Sequence, residues 1–231
     1  MLSDHMMRPE PVAWTRQRER AMSDPAGILS TMDGIETRPL RDRHDLDAVL
    51  RTGFDLIRAV APGLKCRLVG TAAARLQGVD LPVGDVDILV ERRRDVDAVA
   101  EALADLPCVT APQWLASARQ YFACYSLHGV RFEVSTVEAP CDEDGWECQG
   151  PGPWRHYVTV DWGGHRIDCV RLELRLTTEF LRDRSDRYQP ILAHLDAHGA
   201  DLELLQQSMT VRGIPETLAH LTRGLQAAGK P

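Results

Sequence analysis

Residues 66–91 read CRLVGTAAARLQGVDLPVGDVDILVE, and their reading decides the fold. An apolar run ending at Val69 meets Gly70-Thr71, a short helical segment follows, and a loop leads into a second apolar run that carries two carboxylates one residue apart. Side chains alternate along a strand, so Asp85 and Asp87 project together while Val86 and Ile88 turn to the core. Two like charges side by side are costly unless a cation sits between them. A hard divalent ion such as magnesium takes oxygen ligands and fits that place. The turn at Gly70-Thr71 offers backbone N–H groups and a hydroxyl to an anion, as strand-to-helix starts do. The apolar run Ile88-Leu89-Val90 marks this second strand as central rather than exposed.

Working outward, Leu46, Val49, Leu50, Phe54, Ile57 and Val60 recur at helical spacing and predict an amphipathic helix over 44–60. A second helix is expected over 95–106, with Pro107 ending it. Residues 119–127 and 130–138 read as two strands turning at His128-Gly129. The second of them carries Glu133, with Phe132 and Val134 pointing the other way. The stretch 139–153 has the composition of a loop, and its Asp142, Glu143, Asp144 and Glu147 read first as exposed acids and second as a receptor for a cationic acceptor. A second hairpin is expected at 155–161 and 165–172, turning at Gly163-Gly164 and carrying Asp168. From 173 the pattern is helical, with helices after Pro190 and Gly199 and a late break at Gly213 and Pro215.

These residues resemble the nucleotidyltransferase superfamily, which includes polymerase-beta-like enzymes, small-molecule and aminoglycoside nucleotidyltransferases, and abortive-infection toxins. The signature there is an apolar residue, Gly, and Gly or Ser, then about a dozen residues, then acid–apolar–acid, with a third acid on a later strand. Here Val69-Gly70-Thr71 supplies the first part, residues 72–84 the spacer, and Asp85-Val86-Asp87 the acidic pair. Thr71 replaces the usual Ser or Gly and keeps the hydroxyl. Glu133 is the leading candidate for the third acid, and Asp168 is its competitor. The resemblance spans about residues 45–205 and is specific at 66–91. It implies an α/β (α+β) fold: a short mixed β-sheet core flanked by helices over 41–172, a helical C-terminal segment over 173–231, and an N-terminal arm over 1–40 that is expected to be partly disordered.

The implied reaction moves a nucleoside monophosphate from an NTP to a hydroxyl and releases pyrophosphate. Asp85, Asp87 and Glu133 are the expected catalytic and metal-binding residues, holding two Mg2+ ions about 3.5–4 Å apart. Gly70 and Thr71 are expected to hold phosphate. Many relatives place a Lys near the triphosphate on the first C-terminal helix; this chain has none there, and Arg182 or Arg184 is the expected stand-in, with Arg75 a further candidate contact. The expected partners are an NTP and a hydroxylated small-molecule acceptor, antibiotic-like among them. Two other readings stand beside this one: a toxin-type enzyme acting on RNA or protein, and a catalytically silent nucleotide-binding module.

With 231 residues, 44% hydrophobic, the chain is long enough to bury a sizeable core. A net charge of −7 argues against a broad nucleic-acid surface and suits a small, cationic acceptor. The six cysteines show no metal-binding spacing, and no apolar run approaches a membrane span. Both observations point to reduced thiols and a cytoplasmic protein.

Overall fold

The helix expected at 44–60 forms as α1, Arg43–Val60, capped by the Asp42 carboxylate, which accepts from the Asp45 N–H. A computed structural model describes residues 35–138, 147 and 155–227. The expected arm over 1–40 lies outside the described residues except for 35–40. There, Arg38 ties the chain down by donating its backbone N–H to the Gly129 carbonyl (2.8 Å).

After α1 come β1 (Cys66–Val69), α2 (Gly70–Leu76), β2 (Val86–Val90) and α3 (Arg93–Ala102). The helix α3 ends at Ala102, short of the expected 106, because residues 103–106 form turns before Pro107. Four strands follow, β4 (Gln120–Leu127), β5 (Val130–Ser135), β6 (Tyr157–Trp162) and β7 (His165–Val170), preceded by an additional β3 (Cys108–Leu115). The chain closes with α4 (Leu172–Leu181), α5 (Ser185–His198), α6 (Leu202–Arg212) and α7 (Glu216–Ala219). One detail of this end departs from expectation, while the late break falls at Gly213 as expected. Pro190 lies inside α5 rather than at its start, where it removes one intrahelical donor. Gly213 caps α6 in the left-handed region.

The strands form one mixed seven-stranded sheet in the order β3-β4-β5-β2-β1-β7-β6. The expected fold class, a mixed sheet flanked by helices with a helical C-terminal segment, is what the structure shows; the sheet is longer than expected because β3 joins its edge. β3 pairs with β4 through two register shifts and contains Pro112, a residue tolerated on an edge where its missing N–H costs no ladder bond. Its half-exposed pattern has no clean alternation, so the sequence does not announce it. The β4–β5 turn takes positive φ at both His128 (54°) and Gly129 (78°), the two-residue geometry that matches strand twist.

β2 sits at the centre, antiparallel to β1 and parallel to β5. Helices α1, α2 and α3 pack with the sheet through one core that includes Leu46, Leu50, Leu68, Ile88, Val99 and Phe132. A second core gathers Leu176, Phe180, Ile191, Leu195 and Leu205 from the C-terminal helices around Ala74, Val79 and Leu81. Among the described residues no helix is long and apolar enough to cross a membrane.

α1 lies close over β5 because Gly53 has no side chain. A Cβ there would meet the buried Phe132 ring at 2.8 Å from Cε2. Gly53→Ala should therefore destabilise the protein by about 1–3 kcal/mol from overpacking, although alanine is worth roughly 1 kcal/mol more than glycine in an open helix. Urea unfolding measures the sign, and a gain in stability would contradict this packing.

Candidate functional site

The site is built where β1 ends, β2 begins and β5 runs alongside. In the ladder Asp87 lies opposite Val69 on one side and opposite Glu133 on the other. Residues directly opposite in a sheet share a face, so the parallel pairing of β2 with β5 delivers the Glu133 carboxylate to that of Asp87. Asp85 lies one residue before β2 begins rather than within it, yet it still reaches the cluster. Each of Asp85, Asp87 and Glu133 offers a carboxylate oxygen, and these oxygens all lie within 4.8 Å of one another. Asp168 goes elsewhere. It lies on β7, beyond β1 from β2, and accepts a hydrogen bond from the Thr159 hydroxyl at 2.7 Å.

The crowding shows in the acidities. Burial, then the charges of Asp85 and Glu133, hold the Asp87 carboxyl well above the usual carboxylate range, while Arg175 and Arg131 pull it back. Burial raises Glu133 from 4.5 to about 7, against the opposing pull of Arg131. One Glu133 oxygen, Oε1, is buried without a hydrogen-bond partner. Three converging carboxylates, two of them reluctant to ionise, form an oxygen donor set suited to a hard divalent cation.

Gly70 is shaped by the same cluster. Its φ is +70°, and a Cβ on it would lie 2.8 Å from Asp87 Oδ2. Only glycine meets both demands, a left-handed backbone and close contact with a carboxylate. Thr71 follows it, buried in the first turn of α2.

The expected arginines divide. Arg75 forms an ion pair with the exposed Asp80. Arg184 pairs with Asp186, its Nε and Nη2 donating at 2.9 and 2.8 Å. Arg182 is nearly buried beside Glu179, 3.9 Å from its Oε1. Sequence reasoning missed the groups that matter most here. Arg175, buried on α4, donates to both oxygens of Glu147 at 3.0 and 3.1 Å and also pairs with Glu179. Arg187 reaches within 3.6 Å of the same Glu179 oxygen, and it is near enough to feel the charge of Asp85. Burial and the neighbouring Arg184 and Arg175 lower the pKa of Arg187, the mark of cations crowded together. The available signal was the run LELRLTTEFL, in which apolar Leu172, Leu174, Leu176, Phe180 and Leu181 mark a core helix that still carries Arg175 and Glu179 four residues apart. Glu147, the one described residue of the 139–153 stretch, is buried against Arg175, which corrects its reading as an exposed acid. Asp142, Glu143 and Asp144 lie outside the described residues.

Several solved structures are similar to this chain. A candidate nucleotidyltransferase from Thermotoga maritima aligns with a TM-score of 0.49 and 16% identity over 68% of this chain and 96% of its own. The antibiotic-resistance factor ANT(2'')-Ia aligns at 0.46 and 17% over 75% and 97%. An antigenic nucleotidyltransferase-like protein from Paracoccidioides brasiliensis aligns at 0.43 and 13% over 79% and 94%. No protein-family model matches the chain, and no curated protein matches it. These likenesses concern chain path; the roles below rest on this chain's own geometry.

The raised pKa values of Asp87 and Glu133 make the metal-free protein sensitive to pH. Folded Glu133 keeps its proton up to about 7, whereas its ordinary value is 4.5, so its contribution to stability is full below 4.5 and is lost as pH rises through about 7. Metal-free stability should fall across that window, and Asp87→Asn, by removing a like charge, should restore about 1–3 kcal/mol at pH 8. Urea titrations in chelator at pH 5 and pH 8 check both; equal slopes for wild type and variant would count against the cluster.

Proposed function

We propose that this chain is a metal-dependent nucleotidyltransferase that moves a nucleoside monophosphate from an NTP to a hydroxyl of a small molecule and releases pyrophosphate. The observation that carries the reading is the meeting of Asp85, Asp87 and Glu133 beside the Gly70-Thr71 turn, with a buried arginine group on the far flank. The donor set fits divalent magnesium: all three ligands are carboxylates, and their mutual repulsion calls for a cation. Asp85 and Asp87 would hold the ion that accompanies the triphosphate, and Glu133 would complete the one nearer the acceptor. Bound there, magnesium supplies charge neutralisation at the reacting phosphorus and on the oxygens that attack and leave.

The rest falls to the chain itself. Gly70 brings backbone against the Asp87 carboxylate, and the Gly70-Thr71 N–H groups with the Thr71 hydroxyl bind phosphate oxygens. In the displacement, the acceptor oxygen bonds to the α-phosphorus as the bridging α–β oxygen bond breaks, and pyrophosphate departs carrying the charge. Arg175, Arg182 and Arg187, all clustered around Glu179, stand where cationic help for that leaving charge is required. Arg184 and Arg75, also expected as phosphate contacts, pair with Asp186 and Asp80. Glu133 is placed to accept the proton of the acceptor hydroxyl. A small acceptor suits the net charge of −7 better than a polyanionic one, and a cytoplasmic setting belongs to the same reading.

The test is pyrophosphate release with labelled ATP, GTP and CTP, magnesium and a panel of hydroxylated acceptors, aminosugars and RNA included. Asp87→Asn should lower turnover on the order of a thousandfold. Arg187→Gln should raise KM for the triphosphate about tenfold with a smaller change in kcat. Equal turnover by wild type and Asp87→Asn would end the proposal, and transfer to RNA alone would reassign the acceptor.

A further inference from the structure

The carboxylate cluster already contains one cation of its own. Arg131 lies on β5 two residues before Glu133, so both side chains leave the half-buried face of that strand while Val130, Phe132 and Val134 enter the core. Its Nη2 is in ion-pair contact with Glu133 Oε1. The Arg131 Nε is buried with no hydrogen-bond partner, and so is the Glu133 oxygen that the guanidinium touches. The guanidinium also hydrogen-bonds the buried Cys124 sulfur, a weak partner, so its contact with Glu133 is one that can be exchanged. A second guanidinium, Arg175, faces Asp87 from α4, but its own oxygens of Glu147 and Glu179 hold it in place. Among the described residues Arg131 has no second carboxylate in ion-pair contact to anchor it.

We propose that Arg131 is the built-in counterion of Glu133, which gives up this guanidinium when a second divalent ion enters. The chain alone therefore takes up one ion, and takes up the second only when an anionic phosphate is present to receive Arg131. The inference rests on the metal-dependent reading above and adds an order of assembly to it. The physical reason is like-charge repulsion. A divalent ion on the Glu133 oxygens would meet the Arg131 guanidinium, whereas an ion between Asp85 and Asp87 would be held by two carboxylates that, among the described residues, have no guanidinium in ion-pair contact. Arg131 is a positioning residue in this scheme. It makes the two ion sites unequal and ties the second to bound substrate, so that a fully charged centre does not form on the empty protein.

Manganese binding to the full chain tests this without turnover. Calorimetry and electron paramagnetic resonance should show one Mn2+ per wild-type chain, and a spin-coupled pair only after inorganic tripolyphosphate is added. Arg131→Gln should bind two Mn2+ with no phosphate, the second tightened on the order of tenfold. Arg131→Lys keeps the charge and should bind as wild type does. A coupled pair on wild type without phosphate overturns the proposal by itself, whether or not a variant folds. So does an unchanged second site in folded Arg131→Gln. If wild type binds no Mn2+ under any condition and matches Asp87→Asn, the metal-dependent reading has failed as well, an outcome distinct from the other two.

Discussion

Mutual repulsion among three carboxylates at the junction of β1, β2 and β5 is the constraint around which this structure is arranged. Left alone, Asp85, Asp87 and Glu133 would oppose folding, because each is brought within 4.8 Å of the others. The molecule tolerates them through three devices. Protonation is favoured, as the raised pKa values of Asp87 and Glu133 show. Two guanidiniums, Arg131 from the sheet and Arg175 from α4, oppose the excess negative charge. The third device is steric: Gly70 presents no Cβ to a carboxylate oxygen that a larger residue would displace.

The compensation extends well behind the site. Arg175 and Glu179 are buried on a helix that is buried nearly throughout, and Glu147, Arg182 and Arg187 complete a network around them. Buried ion pairs gain little net stability over apolar packing, and they are strongly destabilising when one partner is lost. Their presence in the C-terminal core, where leucines surround them, is therefore better explained by a demand for positive charge near the carboxylates than by a demand for stability. The helical segment is in this sense an electrostatic part of the sheet's end. It also explains why Glu147 is drawn inward from an otherwise polar stretch, since Arg175 needs more than one anion to be satisfied.

Much of the fold was legible because its signals are local. The spacing of Leu46, Val49, Leu50 and Ile57 shows α1, and His128-Gly129 and Gly163-Gly164 mark the two turns that the structure forms. β3 was not legible: an edge strand with Pro112 and two register shifts carries neither alternation nor a continuous apolar run. Nor was the arginine network, whose members come from separate helices and from residue 147. Arg184, conspicuous in an Arg-rich turn, is held by its neighbour Asp186, while the less conspicuous Arg175 and Arg187 turn inward. Exposure is decided by packing, and composition does not report it.

Local pattern alone dictates the alternation that sets Asp87 and Glu133 on the face opposite their apolar neighbours, and the glycine that opens α2. Both follow from backbone geometry within a few residues. Only the tertiary structure decided that β5 lies beside β2 in parallel with Asp87 opposite Glu133, which makes Glu133 and not Asp168 the third carboxylate. Strands so far apart in the chain find their register by burying shared apolar faces, a cooperative outcome that no local pattern encodes.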